Sequence, residues 1–576
     1  MRNRFKFVTI PAILLMVLIV LTNCQENSNP KPIPGSLAAI QWMVSEISFS
    51  STKTYSNGFD DVNLDVIFTH HTGVELKVPA FWDGGNTWKV RFAPILASNW
   101  TYKTVCSDTL NSGLNSKSGN ISCSVYEGNL DIYKHGFIKT SKGSRYFIYD
   151  DGTPFFYLGD THWNMPSELI DSSSVAGIAS QFKYIIDKRI QQGFTVYQSE
   201  PIGAKYNLAD GFSSSDITGF KDLDRRFQYI AEKGLIHANA QLIFVTELGH
   251  NRDKYPDSYL EKLSRYWVAR FGAYPVLWTT AQESDNDYYH GRLNGKGKDI
   301  NPYFDSKTNP WKLVSEFVNK YDPYKHPLTA HQEFSAISGD GTAASNSSFR
   351  DLPWHTWYGA QWSPAKNGQL DFKIPKDFWN NGQGKPVINY EGHYDHLWTN
   401  EFGARMQGWT AILNGMFGQG YGAEDIWLYN STYDMDKESV VSGITITIED
   451  KKTKWDKSIE FPSAYQMGYM HNFFKSLEWW NLTPRFDNIE WFSNDSSFYS
   501  LSSQNNDVYV AYFYNKTRKT GVLRGLESIK YIVQWYNPIT GKFNIPLTVA
   551  ITNGNYSIGE KPDNNDWVLL LKKSDK

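Results

Sequence analysis

The sequence predicts an α/β architecture: a (β/α)8 TIM barrel flanked by an N-terminal and a C-terminal β-sandwich. Three observations predict it. The 576 residues exceed what one hydrophobic core supports, so several domains are expected. Between about residues 131 and 480, short apolar runs alternate with amphipathic helical stretches at intervals suited to βα units. On either side the pattern changes to period-two strands separated by Gly/Asn turns, which is the texture of sandwiches. The expected divisions are a leader at 1–24, a tether at 25–37, a sandwich at 38–130, the barrel at 131–480 and a second sandwich at 481–576.

The leader places the chain outside the cytoplasm. Arg2, Arg4 and Lys6 precede an apolar run at 10–21 that is short for a bilayer span and shaped like a signal-peptide core. It ends in Leu21-Thr22-Asn23-Cys24, which resembles a lipobox and implies lipidation of Cys24. The polar, Pro-containing stretch that follows reads as a tether from membrane to first domain. Gln25 after Cys24, in place of an aspartate, points by the same resemblance to the outer membrane or cell surface, with the periplasmic face as the other possibility. The two remaining cysteines, Cys106 and Cys123, flank a Gly/Ser/Asn-rich segment. They are expected either to form a disulfide across a hairpin or to remain two buried thiols.

In the first sandwich, Val62-Asn63-Leu64-Asp65-Val66-Ile67-Phe68 and Trp88-Lys89-Val90-Arg91-Phe92 alternate as strands should. The aromatic turn Phe81-Trp82-Asp83-Gly84-Gly85 reads as a structural corner, with glycan contact as its alternative. Candidate barrel strands lie at 155–158, 195–198, 241–246, 276–280, 327–330, 352–357, 387–390 and 415–422. Stretches 178–192, 222–233 and 259–271 carry apolar residues at helical spacing between them. A helical piece at 465–477 leads into the last sandwich, where Tyr509-Val510-Ala511-Tyr512-Phe513-Tyr514 and Trp567-Val568-Leu569-Leu570-Leu571 read as strands.

Composition narrows the partner. Basic and acidic residues number 57 and 60, a formal charge of -3, without the basic excess that phosphate backbones require. No nucleic-acid partner is expected. The chain holds 21 Trp, 35 Tyr and 34 Phe, 16% aromatic in all. Roughly half can be assigned to packing, and the surplus suits the apolar faces of sugar rings. No Cys/His cluster or Gly-rich phosphate loop appears, so neither metal nor cofactor is expected.

A barrel of this kind carries its chemistry at the C-terminal ends of its strands. The polar residues there are Asp160, His162 and Trp163 after the first, Gln198 and Glu200 after the second, and Glu247, His250 and Asn251 after the third. Gln282, Glu283 and Asp285 follow the fourth, His331 and Gln332 the fifth, and His355, Trp357 and Tyr358 lie near the sixth. Glu391, His393 and Tyr394 follow the seventh, and Glu424 and Trp427 the eighth. Two carboxylates facing each other across a sugar are what glycoside hydrolysis needs, one as acid and one as nucleophile or base. Glu283 and Glu391 each end an apolar run directly, on strands from opposite walls. Glu200 and Glu247 are rival catalysts if the strand count slips. The other rim residues, namely Asp160, His162, Trp163, Gln198, Glu200, His250, Gln282, Gln332, His355, Trp357, Tyr358, His393, Tyr394 and Trp427, are candidates for substrate binding. For Asp160 and His162 the alternative is simply to hold the first loop.

The stretches Tyr157-Leu158-Gly159-Asp160-Thr161-His162-Trp163, Gln282-Glu283, Glu391-Gly392-His393-Tyr394 and Gly415-Met416-Phe417-Gly418-Gln419-Gly420-Tyr421-Gly422 resemble the apiosidase-like barrels of Bacteroidetes lipoproteins. These barrels are similar to the retaining glycosidase clan with its acid/base on strand four and nucleophile on strand seven. The resemblance implies Glu283 as acid/base and Glu391 as nucleophile. Gln282 departs from it, standing where the clan has an Asn that donates to the sugar 2-hydroxyl. The first sandwich resembles a domain of unknown function often fused to such barrels, and the last a collagen-binding-type module. The expected activity is hydrolysis of a plant or algal polysaccharide or oligosaccharide. Carboxyls more than about 6.5 Å apart would favour inversion over retention. The other readings are a non-catalytic glycan-binding lipoprotein, a polysaccharide lyase, for which the strand ends offer few cations, and collagen adhesion.

Overall fold

The computed structural model describes residues 35–202, 206, 208–240, 242–243, 248, 251–284, 309–331, 349–366, 369–370, 373–429, 438–441, 444–447, 453–486, 498–503, 507–514 and 516–574. Cys24 and its leader, Glu247, His250, Asp285 and Gln332 lie outside the described residues. Among the described residues, no helix is long and apolar enough to cross a membrane.

Eight parallel strands form the central sheet. In chain order they are Tyr157–His162, Val196–Ser199, Ile236–Ala240, Val276–Thr279, Leu328–Thr329, Tyr358–Gln361, Val387–Glu391 and Gly418–Tyr421. The first pairs with the eighth as well as the second, so the sheet curls round into a barrel. Its remaining seam, between strands five and six, is bridged by Thr356 N donating to Leu328 O at 2.9 Å. Helices Gln181–Gln191, Ser214–Glu232, Asp257–Phe271, Pro310–Tyr321, Lys373–Asn381, Glu401–Leu413 and Pro462–Lys475 supply the outer layer.

The first strand runs to His162, four residues beyond the expected 155–158, and two of the expected strands are displaced altogether. The third is Ile236–Ala240, preceding the more apolar 241–246. Its polar members face outward and find partners there: His237 Nε2 meets Ser199 Oγ at 2.7 Å, and Trp267 Nε1 donates to Asn239 Oδ1 at 3.3 Å. The sixth is Tyr358–Gln361, beyond the expected 352–357. Trp357 is fully buried and packs between Phe147 and Tyr390 inside the barrel. Phe147 belongs to a short hairpin, Phe147–Ile148 with Pro154–Phe155, that precedes the first strand. These residues close the floor.

The glycines of the two barrel motifs make room for this interior. A Cβ on Gly159 would lie 2.2 Å from Gln198 Oε1, and one on Gly420 would lie 2.2 Å from the Tyr390 carbonyl oxygen. The space is occupied by a polar layer in which Tyr157 Oη donates to Gln198 Oε1 at 2.8 Å and Gln198 Nε2 donates to Tyr390 O at 2.8 Å. Any side chain on these glycines would overpack a closed interior.

The N-terminal sheets, one of five strands and one of three, face each other across Phe68, Phe92 and Trp100. The Phe81-Trp82 turn is buried against helix Asp257–Phe271, where Tyr266 Oη donates to Trp82 O at 3.1 Å. That burial makes it a structural corner. Beside it Arg91 and Arg270 share Asp224, at 2.7 and 2.8 Å, tying sandwich to barrel. Cys106 and Cys123 are both free buried thiols. Cys123 lies opposite Ser98, eight residues along the strand from Cys106. At about 3.4 Å per residue that is about 27 Å, far beyond the reach of a disulfide. The disulfide alternative is therefore excluded.

At the other end an antiparallel sheet includes Val508–Phe513, Lys530–Asn537 and Trp567–Lys573. Both its faces are covered, which is why these strands read as unbroken apolar runs. Val510, Tyr512 and Leu570 pack on the barrel helices, while Tyr509, Ala511 and Phe513 pack with Leu523 and Tyr556 of the small ribbon Val522–Arg524 and Asn555–Ser557.

Candidate active site

Glu391 ends the seventh strand and is 4% exposed. Its oxygens are ringed by donors. Tyr394 Oη donates to Oε1 at 2.5 Å and Trp163 Nε1 approaches the same oxygen at 3.3 Å, while Gln282 Nε2 donates to Oε2 at 2.6 Å. Trp163 Nε1 also donates to Tyr394 Oη at 2.7 Å, so the two aromatic side chains hold each other as well as the carboxylate. Gln282 is oriented in turn by His331, whose Nδ1 lies 2.7 Å from Gln282 Oε1. Burial lowers the His331 pKa to about 3, so the ring is neutral. Its Nδ1–H then donates to Gln282, which leaves the Gln282 amide hydrogens directed at Glu391.

A bulge aims the fourth strand's end. His331 N donates to Ala281 O at 3.1 Å, and Ser284 N donates to His331 O at 2.8 Å. Gln282 and Glu283 therefore both lie opposite the single residue His331. Glu283 takes the left-handed conformation, φ 47°, which for a residue with a Cβ costs on the order of 1–3 kcal/mol. A bulge beside a site re-aims side chains that strict alternation would send to opposite faces. Gln361 Nε2, at the end of the sixth strand, reaches Glu283 Oε1 at 3.4 Å.

Glu200 follows the second strand in the same phase as Gln198, which faces the barrel interior. It is 6% exposed. Burial, then the charges of Glu391 and Glu283, push its carboxyl well above the usual range. Burial and then Glu283 likewise push Glu391 up to about 8, against the pull of its three donors. Three carboxyls thus interact at one mouth and cannot all ionise at neutral pH.

Tyr394 stacks on Trp427 at 4.7 Å and on Trp398 at 5.2 Å. The half-buried Trp398 and His393 face each other at 6.3 Å. Trp398 was not among the expected residues. Its only sequence signal is its place seven positions after Glu391, in a loop whose path the sequence does not reveal.

Other expected residues lie elsewhere. Asp160 and His162 face the helices. Arg189 Nε donates to Asp160 Oδ2 at 2.7 Å, and His162 sits between Asp160 at 2.8 Å and Glu168 at 2.6 Å. Burial alone would disfavour the charged ring, yet Glu168 and Asp160 raise its pKa to about 9. These two residues hold the first loop and do not line the mouth. Gln198 lies in the polar layer beneath the site. His355 and Trp357 precede the sixth strand, at the floor, and Tyr358 turns outward onto Phe378. Among the described residues, no group of three or more His, Cys, Asp and Glu is arranged to hold a metal ion.

A closed parallel barrel with buried, interacting glutamates at its C-terminal mouth has the architecture of the glycoside hydrolases. Residues 141–481 match the model of the apiosidase-like catalytic domain, and residues 39–107 match DUF5060, a domain of unknown function. The chain belongs to the apiosidase-like family, and with it to the glycoside hydrolases. Its fold is shared by a putative glycoside hydrolase from Bacteroides vulgatus ATCC 8482, with a TM-score of 0.64 at 17% identity over 94% of this chain and 100% of that one. A glycoside hydrolase family 5 structure from the same organism gives 0.60 at 19% identity, over 77% of this chain and 95% of that one. A third structure, described as a glycoside hydrolase, gives 0.56 at 18%, over 77% and 98%. No curated protein sequence matches the chain.

Proposed function

We propose that this glycoside hydrolase acts on a plant or algal polysaccharide or oligosaccharide with retention of configuration, Glu283 serving as acid/base and Glu391 as nucleophile. The observation that carries the reading is the donor ring around Glu391. A carboxyl that accepts from Tyr394, Trp163 and Gln282 is fixed in orientation and drawn toward its charged form, as attack on an anomeric carbon requires. Glu283, on the bulge and electrostatically coupled to Glu391, keeps the proton that the leaving oxygen needs. After bond cleavage Glu283 is a carboxylate and removes a proton from the water that releases the sugar from Glu391. Glu200, kept neutral by burial and its two neighbours, offers a hydroxyl to a substrate oxygen. Trp398, Trp427 and His393 offer a stacking wall for a neighbouring sugar.

The test is release of reducing sugar from a panel of plant and algal glycans by the wild type and by Glu283→Ala and Glu391→Ala proteins of intact fold. Release that both substitutions abolish supports the assignment and names the substrate. Release that survives both transfers the assignment to Glu200. No release by the wild type on a broad panel favours a glycan-binding role.

The leader supports a second part of the proposal: export and anchoring through lipid on Cys24, at the outer membrane or cell surface. Metabolic labelling with an alkyne fatty acid should mark the protein, and Cys24→Ala should abolish the label. A labelled Cys24→Ala protein would disprove anchoring at that residue.

A further inference from the structure

The floor of the barrel, at the N-terminal ends of strands six and seven, holds a cavity of about 430 Å³. That volume falls within the range of small-molecule pockets. Pro386 lines it and Glu391 lies five residues further along the same strand, so the cavity is about 16 Å from the glutamate mouth. Nothing in the catalytic proposal uses it.

Its charge is one-sided. Lys142, Arg350 and Lys385 line it against a single acid, Asp351. That acid is already engaged, since Arg350 Nε and Gln383 Nε2 donate to it at 3.3 and 2.6 Å. Lys385 Nζ donates to Arg350 O at 2.6 Å and lies 5.7 Å over the Tyr358 ring. Burial pushes its pKa down. An ammonium that has lost water in this way gains from an arriving anion.

His355, on the same wall, is 1% exposed. Its Nε2 meets Thr329 Oγ1 at 3.2 Å, while its Nδ1 is buried without a hydrogen-bond partner. Burial keeps the ring neutral. A buried ring nitrogen left unpaired in a polar pocket asks for a partner. A hydroxyl answers in either tautomer, because it can donate as well as accept. Thr140, Ser141 and Gln383 add hydroxyl and amide groups to the same lining.

We propose that this floor pocket binds a sugar acid of monosaccharide size, with its carboxylate between Lys142 and Lys385 and a hydroxyl on His355 Nδ1. The carboxylate accounts for the cationic lining, and the polyhydroxylated ring accounts for the unpaired imidazole and its polar neighbours. The pocket therefore recognises a uronate away from the point of cleavage, either as an acidic residue of the glycan or as a released product.

The test is titration calorimetry on the whole protein with glucuronate and galacturonate, set against glucose, galactose and inorganic phosphate. A uronate is expected to bind at least about tenfold more tightly than its neutral counterpart, the discrimination a charged contact supplies. Lys142→Ala alters an exposed side chain and should keep the fold, while weakening the uronate by about tenfold. Lys385→Met should weaken it further, and His355→Phe should weaken the uronate without changing the response to phosphate. Equal affinity for acid and neutral sugar would overturn the proposal. So would phosphate binding as tightly as the uronate, uronate binding unchanged in Lys142→Ala, or no uronate heat at roughly 10 mM ligand.

Discussion

Glu391→Ala should lower kcat by about 10⁴-fold or more, the scale on which loss of a covalent nucleophile is felt. Azide should then restore turnover and yield a glycosyl azide of inverted configuration, since the anion enters from the side the carboxylate vacates. Glu283→Ala should behave differently. With a poor leaving group it should lose about 10²- to 10⁴-fold. With an aryl leaving group that needs no proton, the first step should survive, and azide should give the product of retained configuration. The pH profile follows from the same pair. Below the raised value of about 8 one proton is retained between the two carboxyls, and above it that proton is lost. Activity should therefore fall as pH rises through that region, and the alkaline limb should vanish in Glu283→Ala assayed on the aryl substrate. Azide products of the same configuration from both variants would overturn the division of roles.

How much of this site the sequence reveals depends on what each strand faces. Glu391 is legible because Val387-Ile388-Asn389-Tyr390 is an apolar run that stops at a charge, and the strand stops there too. Asp160 and His162 are legible as strand-end residues but not as outward-facing ones. Every residue from Tyr157 to His162 is buried, so the alternation that would reveal a side is absent. The third strand is missed because its outward His237 and Asn239 interrupt its apolarity, and their partners Ser199 and Trp267 come from elsewhere in the chain. The sixth is misplaced because Trp354 and Trp357 look like strand residues, whereas Trp357 plugs the floor. The bulge at Gln282 and Glu283 is the least legible feature. It exists because His331, about fifty residues later, offers its N–H and C=O to Ala281 and Ser284, and no local pattern encodes that pairing.

Asp566→Ala should be the most damaging single change to the scaffold. Arg405, on the helix after strand seven, donates to Asp566 through Nε at 2.8 Å and Nη2 at 2.6 Å, and Tyr512 Oη donates to the same carboxylate at 2.8 Å. Both partners of the pair are 3% exposed. Removing the carboxylate leaves the buried guanidinium to Gln466 and the more exposed Glu401, which its Nη1 reaches at 2.7 and 3.3 Å, at a cost of about 3 kcal/mol or more. The loss falls on the joint between the barrel and the C-terminal sheet, where Trp409 packs on Tyr512 and Phe473 on Tyr536. The expected result is an early thermal transition with protease cleavage in the C-terminal sheet. Replacing both partners by apolar residues, Arg405→Met with Asp566→Leu, should recover most of the stability, because the pair's worth lies in its completeness more than in its charge. The same helix carries Gln407, whose Oε1 accepts from His393 N at 2.9 Å beside the mouth. Loosening the joint should therefore also lower activity at temperatures where the barrel is still folded. An Asp566→Ala protein with unchanged Tm would show that the C-terminal sheet is held by its aromatic face alone.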